Sequence, residues 1–270
     1  MAEAPVISSR QNPRVQALAR LRERAARRER GLFLVEGFRE VSRAVAAGVA
    51  LEEFYFCPEL FKQSEAAQLA EQIRGTSVAC WELGGSAFEK VSGRDGSDGI
   101  LAVAHCWEAR LDLLRLPENP LLLAVEAVEK PGNLGALFRT ADSAGCSALL
   151  CCDPVTDVFN PSVVRSSQGA LFSMPCAVAT AEETAAFLRR KGIRVFATTP
   201  GAERDLWTAD FSGPSAILLG SEKDGLSRFW LEDTECRQIG IPQAGLSDSL
   251  NVGMAGTICL YEAVRQRRRG

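Results

Sequence analysis

Three stretches in the second half of the chain each join a strand-like run to a cluster of small and polar residues. Residues 121–125 lead into Glu129-Lys-Pro-Gly-Asn133-Leu-Gly-Ala-Leu-Phe-Arg139. Residues 217–219 lead into Gly220-Ser-Glu222-Lys-Asp-Gly225, and residues 237–241 lead through Pro242 to Ser249-Leu-Asn251-Val. An α/β protein offers backbone groups to a ligand where its strands end, so three such clusters in order describe the rim of a binding crevice. Each also has a plainer reading. Asn133 can be a helix cap with Arg139 facing solvent, Gly220 a turn glycine before an early-helix Glu222, and Ser249 a second helix cap. The plain reading leaves open why Pro131, Gly132, Asn133 and Gly135 gather at the carboxyl end of an apolar strand.

Other chemistries find little to work with. The sequence contains one histidine, His105, so a zinc site or a histidine-based triad has almost nothing to draw on. No strand-like run is followed by G-x-G-x-x-G, which argues against a nucleotide-dependent oxidoreductase. Nine cysteines form an odd set with no C-x-x-C pair, and several, such as Cys151, Cys152 and Cys259, lie in apolar runs as small hydrophobes. We expect no metal site.

The elements that must carry these clusters follow from hydrophobic period. The first part reads as a small α/β unit. An Arg-rich helix with Val15, Leu18 and Leu21 is followed by a strand at 32–35, a helix at 38–47, strands at 51–57 and 77–81 around a helix at 64–73, a loop at 93–99 and a strand at 100–104. Period is lost and two prolines enter between His105 and Pro120, which marks a linker. The boundaries are then 1–105, a linker at 106–119, and 120–270. The last part alternates strands at 121–125, 148–152, 175–178, 193–197, 216–219 and 237–241 with helices at 133–144, 162–168, 181–191, 226–233 and 250–267. That alternation implies a parallel sheet covered on both faces, and by itself it describes an ordinary doubly wound fold without a knot. In the first helix, Leu134, Leu137, Phe138 and Ala141 form one buried stripe with Arg139 off it. In the last, Leu250, Met254, Ile258 and Tyr261 form a stripe, and Gly253 and Gly256 should serve close packing.

The 270 residues, 46% hydrophobic and 24% charged, suffice for one large or two ordinary domains with a real core. The start of the chain has no basic region followed by an apolar stretch, and no apolar run approaches the ~20 residues that span a bilayer. We expect a soluble cytoplasmic protein with no membrane partner. A net charge of −3 argues against a uniformly basic nucleic-acid binder, yet Arg10, Arg14, Arg20, Arg22, Arg24, Arg27, Arg28 and Arg30 crowd one segment, and Arg265, Arg267, Arg268 and Arg269 the other end. Arginine suits bidentate phosphate contacts, and a basic run is equally a solvated helix face.

The three clusters resemble, in order, the three motifs of the SpoU/TrmH family of RNA ribose 2′-O-methyltransferases, a branch of the SPOUT class. The segment Ile7-Ser-Ser-Arg10-Gln-Asn-Pro13, with Val35-Glu36-Gly37, resembles more loosely the substrate-binding domain appended to many members. The resemblance implies a C-terminal parallel-sheet domain with a deep trefoil knot, a smaller N-terminal α/β RNA-binding domain, and a homodimer. It implies S-adenosyl-L-methionine as methyl donor, cradled by Leu219, Gly220, Ile241 and Leu250. It implies an active site of Asn133, Arg139, Glu222, Ser249 and Asn251, with Arg139 activating the ribose hydroxyl. Arg10, Arg14 and Arg28 are the residues expected on the RNA, ribosomal or transfer. The chain departs from the usual Gly-x-Glu-Gly of the second motif in having Lys223-Asp224 before Gly225. A catalytically silent RNA-binding protein of the same fold is the alternative.

Overall fold

The computed structural model describes residues 4–93, 96–245 and 249–268. Arg94 and Asp95 of the expected 93–99 loop, residues 246–248 before Ser249, and Arg269 lie outside the described residues.

Along the chain run β1 (Val6–Ile7), α1 (Pro13–Arg20), α2 (Arg24–Arg30), β2 (Leu32–Glu36), α3 (Phe38–Ala46), β3 (Leu51–Phe56), α4 (Glu65–Arg74), β4 (Ala79–Leu83), α5 (Gly85–Val91) and β5 (Ile100–His105). There follow β6 (Leu121–Glu126), α6 (Pro131–Ser143), β7 (Ala148–Cys152), α7 (Pro161–Ser166), α8 (Ala170–Ser173), β8 (Cys176–Ala179), α9 (Ala181–Arg190) and β9 (Arg194–Thr198). The last are β10 (Ser215–Leu219), α10 (Arg228–Leu231), β11 (Cys236–Ile239) and α11 (Val252–Arg267). The chain divides into two compact units, one of residues 1–107 and 157–172, the other of 108–156 and 173–270. The segment 157–172 thus joins the first unit, although in sequence it lies far beyond the linker expected at 106–119.

Chemistry explains that return. Arg27 is 3% exposed, and its guanidinium donates to both Asp157 carboxylate oxygens and to the carbonyls of Leu21 and Arg22. A buried guanidinium needs such partners, because removing one side of a buried pair costs about 3–5 kcal/mol. Around Phe33, the rings of Phe159 and Trp107 lie 4.9 and 5.8 Å away, centroid to centroid, with Phe159 and Trp107 in edge contact at 4.7 Å. Helical period in 161–166 says only that a face is buried, not against which unit.

The sheet of the first unit has the order β1-β4-β3-β5-β2, with β5 antiparallel to both neighbours and the other pairs parallel. Asn12 caps α1 by accepting from the Arg14 amide, and Val15, Leu18 and Leu21 enter a core with Leu34, Tyr55, Phe88 and Val103. The third strand sits two residues later than its apolar run suggests, at Ala79–Leu83, because Glu82 and Leu83 pair with β1 and Glu82 with Phe56 of β3. Sequence reading passed over β1 and α5 altogether. Both are short and take their stability from neighbours rather than from their own pattern.

In the second unit six strands, all parallel, run in the order β11-β9-β10-β6-β7-β8. Of the four inner strands, β6, β7 and β10 are buried at every residue, as a sheet covered on both faces requires, and β9 is buried at Phe196 and Ala197. The thiols on β7 share that burial, which pushes the Cys152 thiol up to about 12. The strand and helix order agrees with the alternating pattern apart from the added α8, but several boundaries move. Helix α6 starts at Pro131 with Lys130 as its cap, so Asn133 lies inside the first turn and is not the cap. Helix α11 starts at Val252, and Asn251, not Ser249, caps it by accepting from the Gly253 amide at 2.9 Å. Strand β11 stops at Ile239, leaving Ile241 and Pro242 beyond it. Helix α10 is a single turn, begun where the Ser227 amide and hydroxyl bind the buried carboxylate of Glu126 at 2.8 and 2.7 Å.

The stripe expected on α11 is reversed. Its buried side carries Val252, Gly253, Gly256, Cys259, Leu260 and Ala263, while Met254 is 62% and Tyr261 49% exposed. The two glycines do serve close packing. A Cβ on Gly256 would sit 3.0 Å from both Leu137 of α6 and Leu219 of β10, and one on Gly253 would meet Ala136 at 3.9 Å. Among the described residues no helix is long and apolar enough to cross a membrane.

Candidate active site

Strand ends in the second sheet are level. Thr198 of β9 pairs with Leu219 of β10, and Leu219 with Val125 of β6. From β6 the chain runs outward through β7 and β8, then returns to build β9, β10 and β11 on the other side. The sheet therefore changes direction between β6 and β10, and loops leaving those two strands diverge to open a crevice. A cavity of about 520 Å³ lies there, lined by residues 198–200, 219–226 and 249–252, with Lys130, Leu231, Ile241, Gln243 and Ala255.

Each wall has a local cause. After β6 the chain turns sharply with Ala127 in the left-handed region at φ 50°, a strained conformation for a residue with a Cβ. After β10 the segment Ser221–Gly225 closes on itself: the two residues exchange backbone hydrogen bonds of 2.9 and 3.2 Å, and the Ser221 hydroxyl accepts from the Asp224 amide. Gly225 supplies the left-handed turn at φ 68°. Lys223 and Asp224 sit at the tip of this loop, which absorbs the two charged residues that depart from the usual motif. Gly220 is required by the same loop. A Cβ there would lie 2.1 Å from the Gly225 carbonyl carbon, so the glycine admits the protein's own backbone, where the sequence suggested close approach of a ligand.

The polar groups form one chain of hydrogen bonds. The Asn251 side-chain amide donates to the Asn133 Oδ1 at 3.3 Å, and the Asn133 amide donates to Glu222 Oε1 at 2.6 Å. The Glu129 backbone amide donates to the other oxygen of Glu222 at 3.3 Å. Partial burial opposes the Glu222 charge, but the Asn133 bond and the backbone amides of Glu222, Glu129 and Lys130 outweigh it and hold the carboxyl below its ordinary value. Glu222 is accordingly an ionised acceptor that ties the loop after β10 to the start of α6, in a turn and not at the head of a helix. The three sequence clusters meet through these three side chains.

Leu219, Gly220, Glu222, Ile241, Ser249, Leu250 and Asn251 all line the cavity, and Asn133 backs Glu222 and Asn251. Arg139 is not among the lining residues: it is exposed on α6 beyond Asn133, and among the described residues no hydrogen bond or ion pair holds it. Arg10, Arg14 and Arg28 belong to the other unit; Arg10 and Arg28 are exposed, whereas Arg14 is paired with Glu53. Thr198, Thr199 and Pro200 were missed. Their signal was present, since an apolar run ending in Thr-Thr-Pro-Gly meets the same strand-end criterion as the other three. Of the basic C-terminus, Arg267 donates to the carbonyls of Asn119, Pro120, Phe211 and Gly213, and Arg265 pairs with Glu262 at 2.7 Å. These two cations are spent on the fold.

Leucine and isoleucine walls with exposed backbone groups, charge confined to the rim and one fixed carboxylate suit a nucleoside-like ligand. Residues 120–261 match the model of the SpoU rRNA methylase family, and residues 12–102 that of the MRM3-like substrate binding domain. The chain belongs to the SpoU rRNA methylase family. A 23S rRNA uridine 2′-O-methyltransferase of Streptomyces viridochromogenes is 32% identical over 98% of this chain and 93% of its own. Among solved structures, an RNA 2′-O ribose methyltransferase superposes with TM-score 0.85 at 38% identity, covering 97% of this chain and 99% of that one. An AdoMet-bound rRNA methyltransferase from Sinorhizobium meliloti does so with TM-score 0.88 at 28% identity over 98% of each chain.

Proposed function

We propose that this protein methylates a ribose 2′-hydroxyl of ribosomal RNA, using S-adenosyl-L-methionine as donor. The observation that carries the reading is the Glu222, Asn133, Asn251 chain, which binds the three family motifs together beside one cavity. Family membership over most of the chain, and relatives named as 23S rRNA 2′-O-methyltransferases, support the substrate class.

The cavity fits the donor. Leu219, Ile241 and Leu250 would supply apolar surface for an adenine ring, and backbone groups at 220 and 241, in the loops beyond β10 and β11, would supply polar contacts. S-adenosylmethionine brings a methyl group on a sulfonium sulfur, an activated leaving group for in-line transfer. The protein's task is to position a weakly nucleophilic hydroxyl and help remove its proton. In our reading Arg139 takes the positioning part of that task, and the proton lost from the hydroxyl passes to the neighbouring phosphate or to water. A guanidinium keeps its proton well above neutral pH, so it acts as a donor that fixes a neighbouring phosphate and stabilises developing alkoxide charge. Asn133, Glu222, Ser249 and Asn251 keep the surrounding loops in register. An exposed, unpaired guanidinium is free for such a role, unlike Arg265 and Arg267.

Three further points belong to the same reading. The exposed row of Met254 and Tyr261, with half-buried Leu250 and Ile258, supports a homodimer built on α11. The hold of Arg267 on residues 119, 120, 211 and 213, and of Gln266 on Ala209 and Phe211, supports a C-terminal segment threaded as a deep trefoil knot. Residues 1–105 act as the RNA-selecting domain, joined by the 106–119 linker to the SPOUT methyltransferase domain at 120–270, with Arg10, Arg14 and Arg28 toward the RNA in the cytoplasm. The test is to incubate the protein and labelled donor with ribosomal RNA from cells lacking the gene and map the product. Label on a ribose 2′-oxygen is expected; label on a base would overturn the assignment.

A further inference from the structure

The crowd of arginines in the first unit separates into those that are committed and those that are not. Arg22 pairs with Glu36 at 2.8 Å, Arg27 with Asp157 at 2.6 Å, and Arg43 donates to the Gln168 carbonyl. Arg30, at the end of α2, is exposed and unpaired among the described residues. Arg14 differs from both groups. Its guanidinium lies over the Trp81 ring, 4.0 Å from the centroid, and pairs with Glu53, whose other oxygen accepts from the Tyr55 hydroxyl at 2.7 Å. The ring and the carboxylate hold the planar group in one orientation, and the guanidinium neutralises Glu53. Even so, the Arg14 side chain remains 37% exposed.

That orientation has a space beside it. A concavity of about 410 Å³ is lined by Asn12, Pro13, Arg14, Ala17, Leu18 and Arg30, with Glu53. Pro13, Ala17 and Leu18 give it apolar surface, Arg14 a fixed charged plane, and Arg30 an uncommitted cation. Guanidinium planes stack with unpaired bases of RNA, and an adjacent free arginine suits the phosphate.

We propose that this concavity is a stacking subsite for one unpaired nucleobase of the RNA, with Arg14 as the platform and Arg30 on the adjoining phosphate. The proposal rests on RNA as the substrate and deepens it by naming where the first unit grips a single-stranded element. It also assigns Asn12, whose Oδ1 is taken by the Arg14 amide, a free side-chain amide toward the base.

The test uses the full-length protein and a single-stranded octaribonucleotide carrying 2-aminopurine, whose fluorescence is quenched on stacking. The wild-type protein should quench it. Arg14→Lys keeps the charge and loses the plane, so affinity should fall roughly tenfold, as loss of one stacked base implies, with the salt dependence unchanged. Arg30→Ala should lower the slope of log affinity against log salt by about 0.7, one phosphate contact to a single strand. Ala17→Phe fills the concavity and should abolish quenching. Should Arg14→Lys fold poorly in a thermal melt, Arg30→Ala and Ala17→Phe decide, since neither breaks the Glu53 pair. Quenching and affinity at wild-type level in a folded Arg14→Lys or Ala17→Phe protein would overturn the proposal. Binding needs no turnover, so this result and failure of methyl transfer by the wild-type protein are separate outcomes.

Discussion

Two concavities of the molecule are built on opposite principles. The one at the ends of β6, β9 and β10 is made of turns, with Gly220, Ala127 and Gly225 shaping the backbone and a neutral amide pair fixing a single carboxylate. The one beside α1 is made of side chains on regular elements, an arginine held by an indole and a carboxylate. Backbone shape recognises one constant ligand well, because it has no rotamers to change. Side-chain charge and stacking tolerate many sequences, which suits a variable RNA surface. A methyltransferase that always uses one donor and must find one nucleotide in a large RNA has use for both.

The largest expected effect would break that division of labour. Arg139→Ala should lower methyl transfer on the order of a hundredfold or more while calorimetry still detects donor binding, since Arg139 lies outside the cavity lining. Retained turnover would remove Arg139 from the mechanism. Next, Arg27→Ala strands Asp157 and should cost about 3–5 kcal/mol in chemical denaturation, with donor affinity preserved because both residues belong to the first unit. An equal loss of donor affinity would show that the two sites are not independent. Gly220→Ala drives a methyl group into the backbone of Gly225, and we expect a cost of about 1–3 kcal/mol together with weakened donor binding.

A smaller effect concerns pH. The Glu222 carboxyl is held below its ordinary value of 4.5 in the folded chain, so its contribution is present above that value and fades as pH falls through the depressed one. The stability advantage of the wild-type protein over Glu222→Gln, measured by denaturation, should shrink as the pH falls below about 5 and through the depressed value. Last, Arg10→Ala and Arg28→Ala should each leave donor affinity unchanged and lower the salt slope of RNA binding by about 0.7. No change in either slope would move the RNA surface elsewhere on the first unit.

Much of the catalytic unit was legible because parallel strands buried on both faces appear as uninterrupted apolar runs. β7 illustrates this, and the helix α9 carries a local start signal, a capping box between Thr180 and Glu183. Caps were less legible. Asn133 and Ser249 are both good capping types, but each lies beside another residue that took the role, Lys130 ahead of Pro131 in one case and Asn251 in the other. The apolar row of α11 misled for a different reason. Periodicity marks a face that wants burial, and here small residues on the opposite face allowed α6 and β10 to approach closer than leucines would permit.

By itself the sequence determined most of the elements, their order, and which loops carry Asn133, Glu222 and Asn251, because strand runs and turn residues are local properties. It also carried the resemblance that names donor and reaction. Tertiary structure alone decided that those three side chains share one hydrogen-bonded chain, that Arg267 and Arg27 are spent inside the fold while Arg139 and Arg30 are not, and that residues 157–172 cross to the first unit. Each of these is a choice among partners far apart in the chain. Charge and period state what a residue needs, and only the packed fold determines which distant group supplies it.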